Sequence, residues 1–240
     1  MKWIAIAALI LAISAGSSAV SPAQTKRHNF VPPSLISASD ISYPINSLAA
    51  GVVTLSVSLN NAARVTNVQV LRAVPSLTEP ALAAVNNWTF SPAMLDGAPE
   101  PSTLTVNILF NPGYLHPRNV LLPPVKSQEE RDETIRFTPP QVVAAEYAAY
   151  PARSVFTGAV VLEMTVGKTG LADHVSAVFA APSLSQTAIT AAKKWAFSSG
   201  TLDGAPIESK TVVAFVFRSP TITPPYPPGS SLKNPFRSSF

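Results

Sequence analysis

From Gly51 the chain alternates apolar and polar positions, with Val53, Leu55, Val57 and Leu59 set against Thr54, Ser56 and Ser58. A period of two predicts a strand with one buried face and one wet face. Asn60-Asn61-Ala62-Ala63 interrupts the pattern, and both asparagines tolerate the left-handed backbone that a tight turn needs. Val65, Val68 and Val70 resume it, so Arg64 to Leu71 reads as the second strand of a hairpin. The period then changes. Leu77, Ala81, Val85 and Trp88 follow helical spacing, and Ser76 stands three residues before Glu79 as in a helix-capping box. Pro80 is tolerable there because it falls in the first helical turn. Asp96-Gly97 predicts a turn, and Leu104, Val106, Ile108 and Phe110 predict a third strand.

The same succession returns farther along. Tyr43 and Tyr150, Trp88 and Trp195, and Gly97 and Gly204 are each 107 residues apart. Gly158 to Val166 and Leu171 to Phe179 form a hairpin pattern around Gly167-Lys168-Thr169-Gly170, Ser183 precedes Gln186 as a second capping box, and Leu184, Ala188, Ala192 and Trp195 mark a second helix. A constant register without gaps signals internal duplication. The expected fold class is α+β: two tandem ββαβ modules, each a three-stranded antiparallel sheet with one helix packed on one face. The expected boundaries are a leader at 1–23, repeat 1 at 34–112, a Pro-rich and charged linker at 113–139, repeat 2 at 140–218 and a Pro/Ser-rich tail at 219–240. Leu35 to Ile41 reads as one helical turn. In the second copy Val213, Phe215 and Phe217 make one apolar face, while Val212, Ala214 and Val216, with Val161 beside them, make the other apolar too. A sheet apolar on both sides packs on something, here the other repeat, the linker or a partner.

Composition refines this picture. Apolar residues make up 47% of the 240 and charged residues only 12%, enough for two small cores. Many of the 24 prolines cluster outside the repeats, at 32–33, 112–124, 139–140 and 220–235, and read as linkers and tails. The net charge of +4 is scattered and not interleaved with exposed aromatics, so nucleic acid is not an expected partner. Met1 to Ala23 has one lysine, an apolar run from Trp3 to Ala15 and small residues ending at Ala19 or Ala23. That is the pattern of a cleaved secretory leader; an uncleaved membrane anchor is the alternative, although the run is short of the ~20 residues a spanning helix needs. With no cysteine there is neither a disulfide framework nor thiol chemistry.

Enzyme signatures are sparse. His28, His116 and His174 are far apart, and neither a Gly-x-Ser-x-Gly elbow nor a nucleotide loop occurs. Gly167-Lys168-Thr169 joins two strands and reads as a hairpin turn rather than a phosphate loop. The carboxylates Glu129, Glu130, Asp132 and Glu133 read as a solvated linker rather than a metal site, and Asp96 and Asp203 as turn residues rather than a catalytic pair. No enzyme activity, cofactor or metal is expected.

The succession Tyr-Pro, Gly-led hairpin, Pro-Ser-Leu, Ala-rich helix, Trp-x-Phe, Asp-Gly-Ala-Pro and closing Phe resembles the C-terminal domain of the TonB family. It is carried by Tyr43-Pro44, Gly51, Pro75, Leu77, Trp88, Phe90, Gly97-Ala98-Pro99 and Phe110, and again by Tyr150-Pro151, Gly158, Pro182, Leu184, Trp195, Phe197, Gly204 and Phe217. The resemblance implies a non-enzymatic protein that contacts envelope proteins, outer-membrane transporters above all, through an extended peptide added beside the third strand. Carried over, the partner-binding residues are Tyr43, Pro44, Thr105, Val106, Asn107, Ile108 and Phe110, and in the second copy Tyr150, Pro151, Arg153, Val212, Val213, Ala214, Phe215 and Phe217. Strand addition at an open edge also allows a homodimer. The resemblance places the protein in the periplasm, or secreted, after leader cleavage. If the anchor is kept, it implies an inner-membrane energy transducer for transmembrane transport; only about 20 residues separate leader from first module, against the ~3.1 Å per residue an extended spacer gains. An exported enzyme with an unfamiliar site is the remaining class.

Overall fold

The computed structural model describes residues 28–113, 118–125, 137–152 and 154–219. The leader, the acidic stretch 126–136, Arg153 and the tail beyond Ser219 lie outside the described residues. The first half runs β1 (Phe30–Val31), β2 (Ser34–Ser37), β3 (Gly51–Leu59), β4 (Val65–Arg72), α1 (Thr78–Val85), β5 (Thr89–Ser91), β6 (Ala93–Leu95), β7 (Ala98–Glu100) and β8 (Ser102–Asn111). After β9 (Asn119–Leu121), the second half runs β10 (Phe137–Thr138), β11 (Val142–Glu146), β12 (Gly158–Val166), β13 (Ala172–Phe179), α2 (Ser185–Ala192), β14 (Ala196–Phe197), β15 (Gly200–Leu202), β16 (Ala205–Ile207) and β17 (Ser209–Phe217). The class is mixed α+β, dominated by strands. Among the described residues no helix is long and apolar enough to cross a membrane.

One six-stranded sheet organises the molecule, in the order β13-β12-β17-β8-β3-β4. Each half supplies an antiparallel hairpin and a third strand, and the two third strands, β8 and β17, lie side by side in parallel. The expectation of two separate three-stranded sheets is corrected here: the sheets merge. Successive side chains of a strand face opposite ways, and β17 shows the consequence. Val212, Ala214 and Val216 join the core under α1, with Val53, Leu55, Val106, Ile108 and Trp88. Val213, Phe215 and Phe217 join the core under α2, with Val160, Leu162, Met164 and Trp195. The helices therefore cover opposite faces. The two-faced apolar sheet of the second half is buried by its own helix on one side and by first-half residues, including Leu35 and Ile41, on the other.

Local chemistry explains the turns. Asp96 and Gly97, like Asp203 and Gly204, all have positive φ, the conformation of a two-residue hairpin turn. The Asp96 carboxylate also accepts from the Asn29 N–H at 2.8 Å and pairs with His28 Nδ1 at 2.7 Å, fastening the N-terminal segment. In the first hairpin Ala63 takes φ 57°, a left-handed residue without the glycine that Gly170 supplies in the second. At Gly170 a side chain is excluded twice: φ is 83°, and a Cβ would stand 2.1 Å from the Phe197 carbonyl. The capping boxes do not form. Each helix starts two residues later than the serine, with Leu77 and Leu184 at the cap positions and no side-chain cap hydrogen bond. Ser76 has φ 66° and its hydroxyl meets Ser47 Oγ at 2.6 Å, so the expected cap residue instead ties down the Tyr-Pro loop.

The segments ahead of each Tyr-Pro are also folded, where a helical turn and linkers were expected. β2 pairs with β5, Leu35 opposite Phe90, and β11 pairs with β14, Val142 opposite Phe197. β1 pairs with β6, Phe30 opposite Leu95, and β10 with β15, Phe137 opposite Leu202. Phe30 and Phe137 touch across the molecule with ring centroids 4.8 Å apart.

Trp88 and Trp195 sit in equivalent cores with unequal hydrogen bonding. The Trp195 indole N–H donates to the Glu146 carbonyl at 3.1 Å, whereas the Trp88 N–H is buried without an acceptor among the described residues. Truncating either to alanine should cost about 3–5 kcal/mol. Phenylalanine separates them: Trp195→Phe leaves a carbonyl unpaired and should cost about 1–3 kcal/mol more than Trp88→Phe, which removes an orphan donor. Urea unfolding of the two variants measures the difference, and equal costs would contradict this account of the N–H groups.

Candidate protein-binding surface

The strand residues expected to bind a partner are all placed at the centre of the sheet. Thr105, Val106, Asn107, Ile108, Phe110, Val212, Val213, Ala214, Phe215 and Phe217 are each fully buried. β8 and β17 bond to one another in register, Val106 opposite Val212 through Asn111 opposite Phe217. The borders expected to be open are therefore closed, each by the other. This corrects the docking edge read from the sequence. It also corrects the homodimer expectation for that edge, because the pairing foreseen between two copies occurs within one chain.

Polar groups pin this seam from within. Thr54 Oγ1 donates to Asn107 Oδ1 at 3.2 Å, Asn107 Nδ2 donates to Thr211 Oγ1 at 3.4 Å, and Thr211 Oγ1 donates to the Thr105 carbonyl at 2.9 Å. Arg72 reaches in from the outermost strand to donate to Thr54 Oγ1 at 3.2 Å and to the Pro123 carbonyl, and its burial lowers the guanidinium pKa from the ordinary value. Buried polar side chains that satisfy one another specify a single alignment of the strands.

The Tyr-Pro segments fare differently. They flank the seam where β8 and β17 end, since Gly51 pairs with Phe110 and Gly158 with Phe217. Tyr43 is buried, its hydroxyl donates to the Ala49 carbonyl, and its ring meets Phe110 edge-on at 5.4 Å. Tyr150 donates to the Phe156 carbonyl at 2.7 Å and lies 6.3 Å from Phe217. Pro44 and Pro151 are half-buried. Each third strand also grips the opposite half. Arg218 donates to the Ser47 and Ile45 carbonyls at 2.6 and 2.8 Å and stands over the Tyr43 ring, while Asn111 Nδ2 donates to the Ala148 carbonyl at 2.6 Å. Around these loops Ile45, Leu48, Val155 and Phe156 are exposed apolar residues.

What the sheet leaves open are its outermost strands, β4 and β13, beyond which no strand pairs among the described residues. A groove between β4 and α1 is lined by the apolar Val65, Val68, Leu82 and Ala83 and by polar side chains, Glu79 and Asn86 among them. These residues were read from the sequence only as hairpin and helix. Nothing in a single-strand pattern marks which strand of a three-stranded sheet becomes the border once two sheets fuse.

The sheet is open at both borders, and among the described residues no three His, Asp or Glu side chains gather as a metal site would require. Residues 42–112 match the family model of the Gram-negative bacterial TonB protein C-terminal domain. Neither the curated proteins nor the solved structures contain a significant match to the chain.

Because Asn107 and Ala214 are interior to the six-stranded ladder, Asn107→Pro and Ala214→Pro should each cost about 3 kcal/mol or more, by loss of ladder bonds and steric clash. A thermal melt checks this; unchanged midpoints would show the seam to be open in solution.

Proposed function

We propose that this protein is a non-enzymatic binding module of the cell envelope, built from two copies of a TonB C-terminal-type unit, and that it takes extended segments of outer-membrane transporters onto the border of its sheet. The observation that carries the reading is the family match over 42–112, a stretch that forms β3, β4, α1 and β8 of the sheet. The second unit is supported by pairings that repeat 107 residues on, Leu35 with Phe90 and Val142 with Phe197, Phe30 with Leu95 and Phe137 with Leu202. Backbone hydrogen bonding at an open border gives affinity with little demand on sequence. Since the third strands close on each other, binding falls to the outer strands, with the Tyr-Pro loops serving to lock the two units.

The leader at 1–23 is cleaved in this reading and the protein works in the periplasm. N-terminal sequencing of the mature protein should begin at Val20 or Gln24; a chain retaining Met1 to Ala23 would favour the anchored transducer instead. For the partner, capped synthetic peptides covering the periplasmic N-terminal segments of outer-membrane transporters should bind the mature chain saturably in fluorescence anisotropy. If no peptide of the panel binds, the envelope-partner reading is wrong.

A further inference from the structure

The two open borders are not equivalent. Along β13, Asp173 and His174 are exposed, and β2 from the N-terminal segment packs against that strand. Edge charges and covering segments discourage an added strand. β4 differs among the described residues. From Val65 to Leu71 it carries no charged side chain, and Arg72, which ends it, is turned toward Thr54 and Pro123. Leu55 to Ser58 pair with Val70 to Asn67 without a shift, and the bulges are confined to the two ends of the strand. The border of β4 is thus a regular, uncharged run of backbone donors and acceptors.

The groove beside it adds selectivity. Val65, Val68, Leu82 and Ala83 form the apolar part of a mixed lining, and Glu79, also in that lining, is exposed with no ion-pair partner among the described residues. The position 107 residues on is Gln186, so the acid belongs to the first half alone. Side chains of a strand laid along β4 would alternate, and every second one, about 7 Å apart, would face the α1 side of the sheet. Apolar residues there meet Val65, Val68, Leu82 and Ala83. A cation among them meets Glu79 and fixes the register of a ladder that is otherwise free to slip.

Resting on the envelope-binding reading above, we infer that the border of β4 with its groove against α1 is the docking site, and that its partner is an extended peptide with apolar residues at alternate positions and one lysine or arginine facing Glu79. The test uses the mature full chain, labelled for NMR, and capped peptides of alternating valine and threonine with one central lysine, a twin with glutamate in its place, and a twin N-methylated at alternate residues. The lysine peptide should shift amides of Val65 to Arg72 and of α1. The glutamate twin should bind about fivefold more weakly, the scale of one exposed ion pair. Glu79→Gln should erase that preference and Glu79→Lys should reverse it, with the spectrum of each variant reporting that the fold is kept. N-methylation on the bonded side should abolish binding, as loss of a ladder requires. Shifts confined to Ala172 to Phe179 or to the Tyr-Pro loops, equal affinity for the lysine and glutamate peptides, or no binding by either would overturn the assignment. Run beside the transporter panel, the experiment separates two failures. A panel that binds without shifting β4 removes this site and leaves the envelope reading standing, whereas a panel that does not bind at all removes both.

Discussion

The parallel pairing of β8 with β17 is the constraint from which the rest of the structure follows. A third strand such as β17, apolar on both faces, has nowhere to end a sheet safely, because a long apolar edge is a template for aggregation. Placing it against β8 removes two such edges at once. Every residue of β8 is buried as a result, and β17 is buried at all but Lys210. Parallel strands need cover on both faces, and the two helices supply it by lying on opposite sides. A third strand that served as a free docking border would instead leave Val212 to Phe217 wet.

That arrangement also accounts for the segments that cross between halves. Ser34 and the Leu35 N–H both donate to Glu163 Oε2, at 2.6 and 2.7 Å, and Lys210 reaches Glu163 Oε1 at 2.7 Å and Ser34 Oγ at 3.0 Å. Asp40 accepts from the Ala159 N–H at 2.8 Å. The N-terminal segment thus belongs in sequence to the first half and in space to both. The equivalent segment of the second half returns the contact, with Gln141 Nε2 donating to Thr105 Oγ1. Each half is completed by the other, and the remaining openings are pushed to the far borders.

Several elements were legible because their cause is local. The hairpins follow from alternation at Val53 to Leu59 and Gly158 to Val166, the Asp-Gly turns from the left-handed tolerance of both residues, and the helices from the spacing of Ala81, Val85 and Trp88. Where a local rule met a competing contact it failed. Ser76 had the position of a cap residue, but Ser47 captured its hydroxyl and the helix began at Thr78. The short strands ahead of each Tyr-Pro were hidden among prolines, although a signal was present: Phe30-Val31-Pro32-Pro33 and Phe137-Thr138-Pro139-Pro140 stand 107 residues apart. Of the candidate site, Tyr43, Pro44, Tyr150 and Pro151 flank the seam, and the strand residues form the seam itself.

The sequence alone determined what each short stretch does: the alternation, the turn residues and the repeated register are written within tens of residues of chain. It also required that the second half's outer face be buried. Only the tertiary structure decided by what, since β8 and β17 are separated by most of the second half, and no local propensity specifies which distant edge a strand will choose. That choice was made by mutual burial of two apolar strands and by the Thr54, Asn107, Thr211 hydrogen bonds that align them, and with it the structure settled which borders of the sheet stay open.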